Sequence, residues 1–174
     1  MKEKSLCLQP RIFLKKVGMG VVFIFGLLVG ILLTGSAAWI AMPKMMLVVH
    51  KSRYNNVEET CRKLHAAIEA QGWSTPAVRD INKTIEKSGI NLSRQVRIVE
   101  LCKASYAKDV LETNPEVSTL MPCAWGVYQG DDGNVYISGM NMGLMGKIFG
   151  GNIAKVMGGP VSADEESILR DIVE

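Results

Sequence analysis

The four cysteines, Cys7, Cys61, Cys102 and Cys123, are the residues of this chain best suited to chemistry, as nucleophiles, soft-metal ligands or a disulfide. Cys102 closes one β-prone run and Cys123 opens another, so neighbouring strands would bring the two sulfurs together. Three states stay open for that pair. It can be two buried structural thiols, a disulfide, or a reactive pair that cycles between dithiol and disulfide or holds a soft metal or sulfane sulfur. Lys103 beside Cys102 would favour a thiolate, although neither cysteine belongs to a CxxC turn. Cys61 and His65 stand four residues apart on one helix, too few ligands for a metal, and Cys61 lies on that helix's apolar stripe. Met140, Met142 and Met145 have the thioethers that Cu(I) prefers, but Met145 falls on a helical apolar stripe, which points to core packing. No metal site and no resident cofactor is expected. Gly143, Gly146 and Lys147 fall short of a phosphate loop, which needs glycine where Asn141 stands and Ser or Thr where Ile148 stands. With two histidines and no GxSxG or HExxH, no catalytic residue is assigned and the reading leans away from an enzyme.

The elements that would position these groups are legible along the chain. Residues 45–49 form a short apolar run that reads as a strand. A helix over 57–72 is capped by Asn55 or Asn56, stopped by Gly72, and carries Val57, Cys61, Leu64 and Ile68 on one face. Residues 73–81 read as a strand interrupted at Pro76, 82–88 as a short helix, 94–103 as a strand and 104–113 as a helix ending before Pro115. Residues 123–129 and 134–138 are β-prone runs joined by a turn over 130–133, a β-hairpin. The spacing over 143–157 predicts one amphipathic helix, packed on the sheet or lying on a bilayer, and a last helix is capped by Ser162 with Asp164 to Glu166 in its first turn. This order argues an α+β fold: a two-layer sandwich of a mixed four- to five-stranded sheet with helices on one face.

A transmembrane helix is expected in front of it. Residues 17–42 hold no charged side chain, and about 20 apolar residues suffice to cross a bilayer. Lys2, Lys4, Arg11, Lys15 and Lys16 precede the run against Glu3 alone. The positive-inside bias therefore puts a basic tail, residues 1–16, in the cytoplasm and the domain over 43–174 in the periplasm or outside. The chain is thus read as a single-pass protein of the cytoplasmic membrane, with the lipid bilayer as its first partner. A cleaved signal peptide has a shorter apolar region. Gly26, Gly30 and Thr34 place small groups on one helix face, spacing that lets two such helices pair.

Of 20 basic and 17 acidic residues, the first 42 hold five and one. The rest is left with a slight acidic excess, which lacks the electrostatic footprint of nucleic-acid binding.

Over 100–141 the sequence resembles the prokaryotic family known as domain of unknown function 302. The resemblance rests on Cys102 at a strand end, on Ala107 and Glu112 in the helix, and on the turn Asn114, Pro115, Glu116, Val117. Leu120, Met121, Pro122 and Cys123 then enter the hairpin, with its turn at Asp131 to Gly133. It extends from about Met46 to Val173, and departs from the family pattern at Lys103, Ala104 and Ser105, where a proline often follows the first Cys. It implies a compact α+β domain, often dimeric, and no established activity. Two functions follow as expectations. The first is a membrane-tethered binding or assembly module, homodimeric or engaging a protein or small ligand. The alternative is a thiol, sulfur or soft-metal protein working through Cys102 and Cys123.

Overall fold

The computed structural model describes residues 10–174, with side chains described from residue 21 onward except at 37, 39, 41 and 43. The chain forms two compact units, Met1–Pro43 and Lys44–Glu174. In the first, helix α1 runs over Pro10–Met46 and ends in the second unit. Among the described residues, no helix is long and apolar enough to cross a membrane. The expected span over 17–42 lies partly outside them, as do Cys7 and the side chain of Trp39.

The second unit is built on five strands: β1 (Leu47–Lys51), β2 (Val78–Asp80), β3 (Val96–Leu101), β4 (Cys123–Gln129) and β5 (Val135–Met140). Their order across the sheet is β1-β5-β4-β3-β2, and every neighbouring pair is antiparallel. The expected mixed sheet is therefore corrected. The crossover from β1 through helix α2 (Val57–Ala70) joins the two opposite edges, so β1 and β2, which run the same way, are not hydrogen-bonded neighbours. The expected strand over 73–81 shrinks to β2 and one bridge from Ser74 to Cys102, because Pro76 between them has no N–H to give.

Strand alternation sorts the sheet into two faces. Val99, Leu101, Trp125, Val127, Val135 and Ile137 are all buried on one face. Val49, Ile98, Ala124 and Ser138, which alternate with them, are not. The helices cover the first face. Helix α2 is capped by Asn56, whose side chain accepts from the Glu59 N–H at 3.0 Å, and lays Val57, Cys61, Leu64 and Ile68 into the core. Helix α3 (Ile81–Glu86) is capped by Asp80, and α4 (Ala104–Leu111) buries Val110 before a 3-10 turn over Pro115–Leu120. Every residue of the core cluster lies within Lys44–Glu174, so this unit closes its own core.

The C-terminal third departs from the expected pattern twice. The single helix over 143–157 is two helices, α5 (Met142–Phe149) and α6 (Gly151–Val156). Gly150 and Gly151 both take positive φ, +69° and +55°, which ends α5 and restarts the chain in a new direction. Met142, Met145, Ile153, Val156 and Met157 pack inward, whereas Ile148 and Phe149 at the break are exposed. Nor does Ser162 cap a helix: the backbone widens into a π turn over Met157–Val161 around Pro160 and passes without a break into α7 (Ser162–Leu169). The Ser162 hydroxyl donates to the Met157 carbonyl at 2.8 Å instead.

Candidate functional site

Three described cysteines, Cys61, Cys102 and Cys123, are free thiols. Cys123 pairs with Leu101 across β3 and β4, which puts it on the helix-covered face. Cys102 lies one residue further on, held by reciprocal backbone bonds to Ser74 at 2.8 and 2.9 Å. Both line a narrow cavity of about 20 Å³ together with Trp73, Leu101 and Tyr106, room for little more than one water. Burial, with smaller contributions from Glu165 and Cys102, pushes the Cys123 thiol up to about 11, so almost none of it is thiolate at neutral pH. The Cys61 thiol is likewise raised to about 11, by burial first and then Glu58. His65 faces Glu69 at 3.4 Å. Among the described residues no cluster of three His, Cys, Asp or Glu side chains could hold a metal. Met142 and Met145 are core residues, and with Met140 they line a second cavity of about 20 Å³. On α1 the Thr34 hydroxyl donates to the Gly30 carbonyl at 2.7 Å, and no side chain approaches the Cβ positions of Gly26 or Gly30.

Lys103, next to Cys102 in the chain, meets a carboxylate. Lys103 Nζ donates to Asp164 Oδ2 at 2.8 Å, and the same oxygen accepts from Trp73 Nε1 at 2.9 Å and Tyr106 OH at 3.2 Å. The ammonium also sits 4.7 Å from the Tyr106 ring centre. Burial alone would raise the Asp164 carboxyl, but the bonds from Lys103, Trp73 and Tyr106 overcome it and hold the carboxyl below its usual range. The cluster ties α7 to the end of β3 and to α4, a structural role. Asp164→Ala is expected to cost about 1–3 kcal/mol, with Asp164→Asn losing less, read from urea midpoints at pH 7. This contribution is present above the unfolded pKa near 3.8 and is lost as pH falls through the depressed folded value. Equal stability of Asp164→Ala and the native chain would remove the cluster from the account.

A cavity of about 690 Å³ opens between β1, α5 and α7. Backbone bonds fix both ends of β1. At its start the Asn141 N–H donates to the Met46 carbonyl at 2.8 Å, while the Asn141 side chain caps α5 at the Leu144 N–H. At its end the Glu174 N–H donates to the Lys51 carbonyl at 3.0 Å and the Arg53 N–H to Ile172 at 2.8 Å, which fixes the chain end that follows α7. Between these anchors Val48 and His50 face the helices, and the small residues Gly143, Gly158 and Ser162 leave the space unfilled. Met142, Leu169 and Val173 make the walls apolar.

Glu165 lines the same cavity. Its Oε1 is closed off from solvent and has no hydrogen-bond partner, and burial pushes the carboxyl up to about 7. In the sequence Glu165 reads as a first-turn charge of the last helix. The signal was the acidic run itself: three consecutive residues span about 200° of a helix, so a helix packed on two sides turns one of them inward. Asp164 meets Lys103, Glu166 reaches the cavity mouth, and Glu165 is the one enclosed.

The family model described as "Domain of unknown function DUF302" matches residues 48–168. Among solved structures, the fold is similar to the crystal structure of an uncharacterized conserved protein DUF302 from Bacillus stearothermophilus. The TM-score is 0.65 at 19% identity, covering 73% of this chain and 98% of that one. No curated protein matches the chain.

Proposed function

This chain belongs to the DUF302 family, and on that premise we propose that it is a binding module tethered to the membrane, with the cleft between β1, α5 and α7 as its recognition site. The cleft carries the reading. It is preformed, largely apolar and of the size that takes a small organic molecule, and a carboxyl lies in its wall. The thiol alternative is less favoured because Cys123 is partly buried with its thiol raised and the cavity beside Cys102 and Cys123 is only about 20 Å³.

The tether is part of the same proposal. It rests on the uncharged stretch 17–42 and the basic residues before it, which favour a cytoplasmic N-terminus and a domain in the periplasm or outside. Pairing of two anchors through Gly26, Gly30 and Thr34 would make the protein a homodimer in the bilayer. An alkaline phosphatase fused after Glu174 is expected to be active in cells, and an inactive fusion would refute the orientation. For the cleft, the neutral apolar dye N-phenyl-1-naphthylamine is expected to bind the Lys44–Glu174 unit saturably, one per chain. Gly143→Leu should abolish that binding. A Cβ at Gly143 would meet Asn141 Oδ1 at 3.6 Å and Ser162 Oγ at 3.9 Å, ordinary contact distances, so the larger side chain narrows the cleft without a backbone clash. Saturable binding unchanged in Gly143→Leu would place the dye elsewhere.

A further inference from the structure

We infer that the cleft takes an apolar molecule with a single acidic head group, of the medium-chain carboxylate type, its body against Val48, Met142, Leu169 and Val173 and its head toward Lys147 and Arg170. This rests on the binding-module reading and deepens it. The cleft is not uniformly apolar: Lys147 from α5 and Arg170 after α7 both line it. Neither cation is among the described ion pairs. The described side-chain hydrogen bond of Arg170 is a long one, 3.5 Å, to the Ser167 hydroxyl. Eight of the domain's fifteen basic side chains meet a carboxylate, Lys51, Arg79, Arg94, Arg97 and Lys103 among them, whereas Lys147 and Arg170 meet none among the described residues and stand on the same cleft. An arginine with free donors is suited to a carboxylate.

The remaining charged and titratable groups on this cleft are His50 from β1 and Glu165 and Glu166 from α7. Glu166 lines the cleft without a described ion pair to either cation. Glu165 is mostly uncharged below about pH 7, because burial pushes its carboxyl up to about 7. A protonated carboxyl is a hydrogen-bond donor, the partner an acidic head group accepts from. Cations at the mouth, a neutral carboxyl in the wall and apolar surface beneath together match an amphipathic acid and disfavour an amine of the same length.

The experiment displaces N-phenyl-1-naphthylamine from the Lys44–Glu174 unit, which closes its own core, with decanoate, decanol and decylamine at pH 6.5. Decanoate is expected to compete at least about tenfold better than decanol and better still than decylamine, a difference near one charge-assisted hydrogen bond. The double variant Lys147→Gln, Arg170→Gln should bind the dye normally and bring decanoate level with decanol. Decanol or decylamine competing as well as decanoate overturns the acidic class while leaving the cleft in place. A failure of the dye itself to bind overturns the binding-module reading beneath it.

Discussion

Glu165→Gln is expected to stabilise the domain by about 2–3 kcal/mol at pH 8 and to change little at pH 5. The carboxyl titrates near its ordinary value, 4.5, in the unfolded chain and at about 7 in the folded one. Between those values the folded state holds a proton that the unfolded state has released, so native stability falls as pH rises from about 4.5 to 7 and levels off above. Each pH unit of difference is worth about 1.4 kcal/mol, and partial solvation of a half-buried group trims the total. Glutamine keeps the neutral shape and removes the titration. Urea midpoints of both proteins at pH 5 and pH 8 measure it. Parallel pH profiles would mean that Glu165 is solvated, and the neutral wall of the cleft would go with it.

Leu64→Ala is expected to cost about 2–5 kcal/mol at any pH where the domain folds. Leu64 is 0% exposed on α2 and lies among Cys61 and Ile68 against the sheet. Truncation removes the transfer energy of the lost methyl groups and leaves a void that the surrounding strands, fixed by four ladders, fill poorly. A loss below about 1 kcal/mol, read from denaturant midpoints, would take α2 out of the core.

What the sequence revealed and what it hid separate by range. Helix α2 announces itself through one cap residue and one apolar stripe, and the hairpin of β4 and β5 through a short turn between two β-prone runs; both are local, and both form where expected. The break between α5 and α6 was also local, since Gly150 and Gly151 stand together, but Ile148 and Phe149 continue the helical spacing and masked it. The antiparallel sheet was hidden because its edge pair joins Leu47 to Met140, a partnership that no local pattern encodes. The cleft was hidden for the same reason. Val48, Gly143 and Glu165 come from three distant segments, and none has a type or spacing that names the others. Cys102 and Cys123, the most conspicuous chemistry in the sequence, are free thiols that line a cavity of about 20 Å³.

The proposed recognition site is the cleft between β1, α5 and α7. Methyl-resolved NMR of the Lys44–Glu174 unit titrated with decanoate tests it most directly. The expected result is that the largest shifts come from Val48, Met142, Leu169 and Val173, which line the cleft. Shifts confined to the uncovered sheet face, at Leu47, Val49 and Ile98, would contradict it.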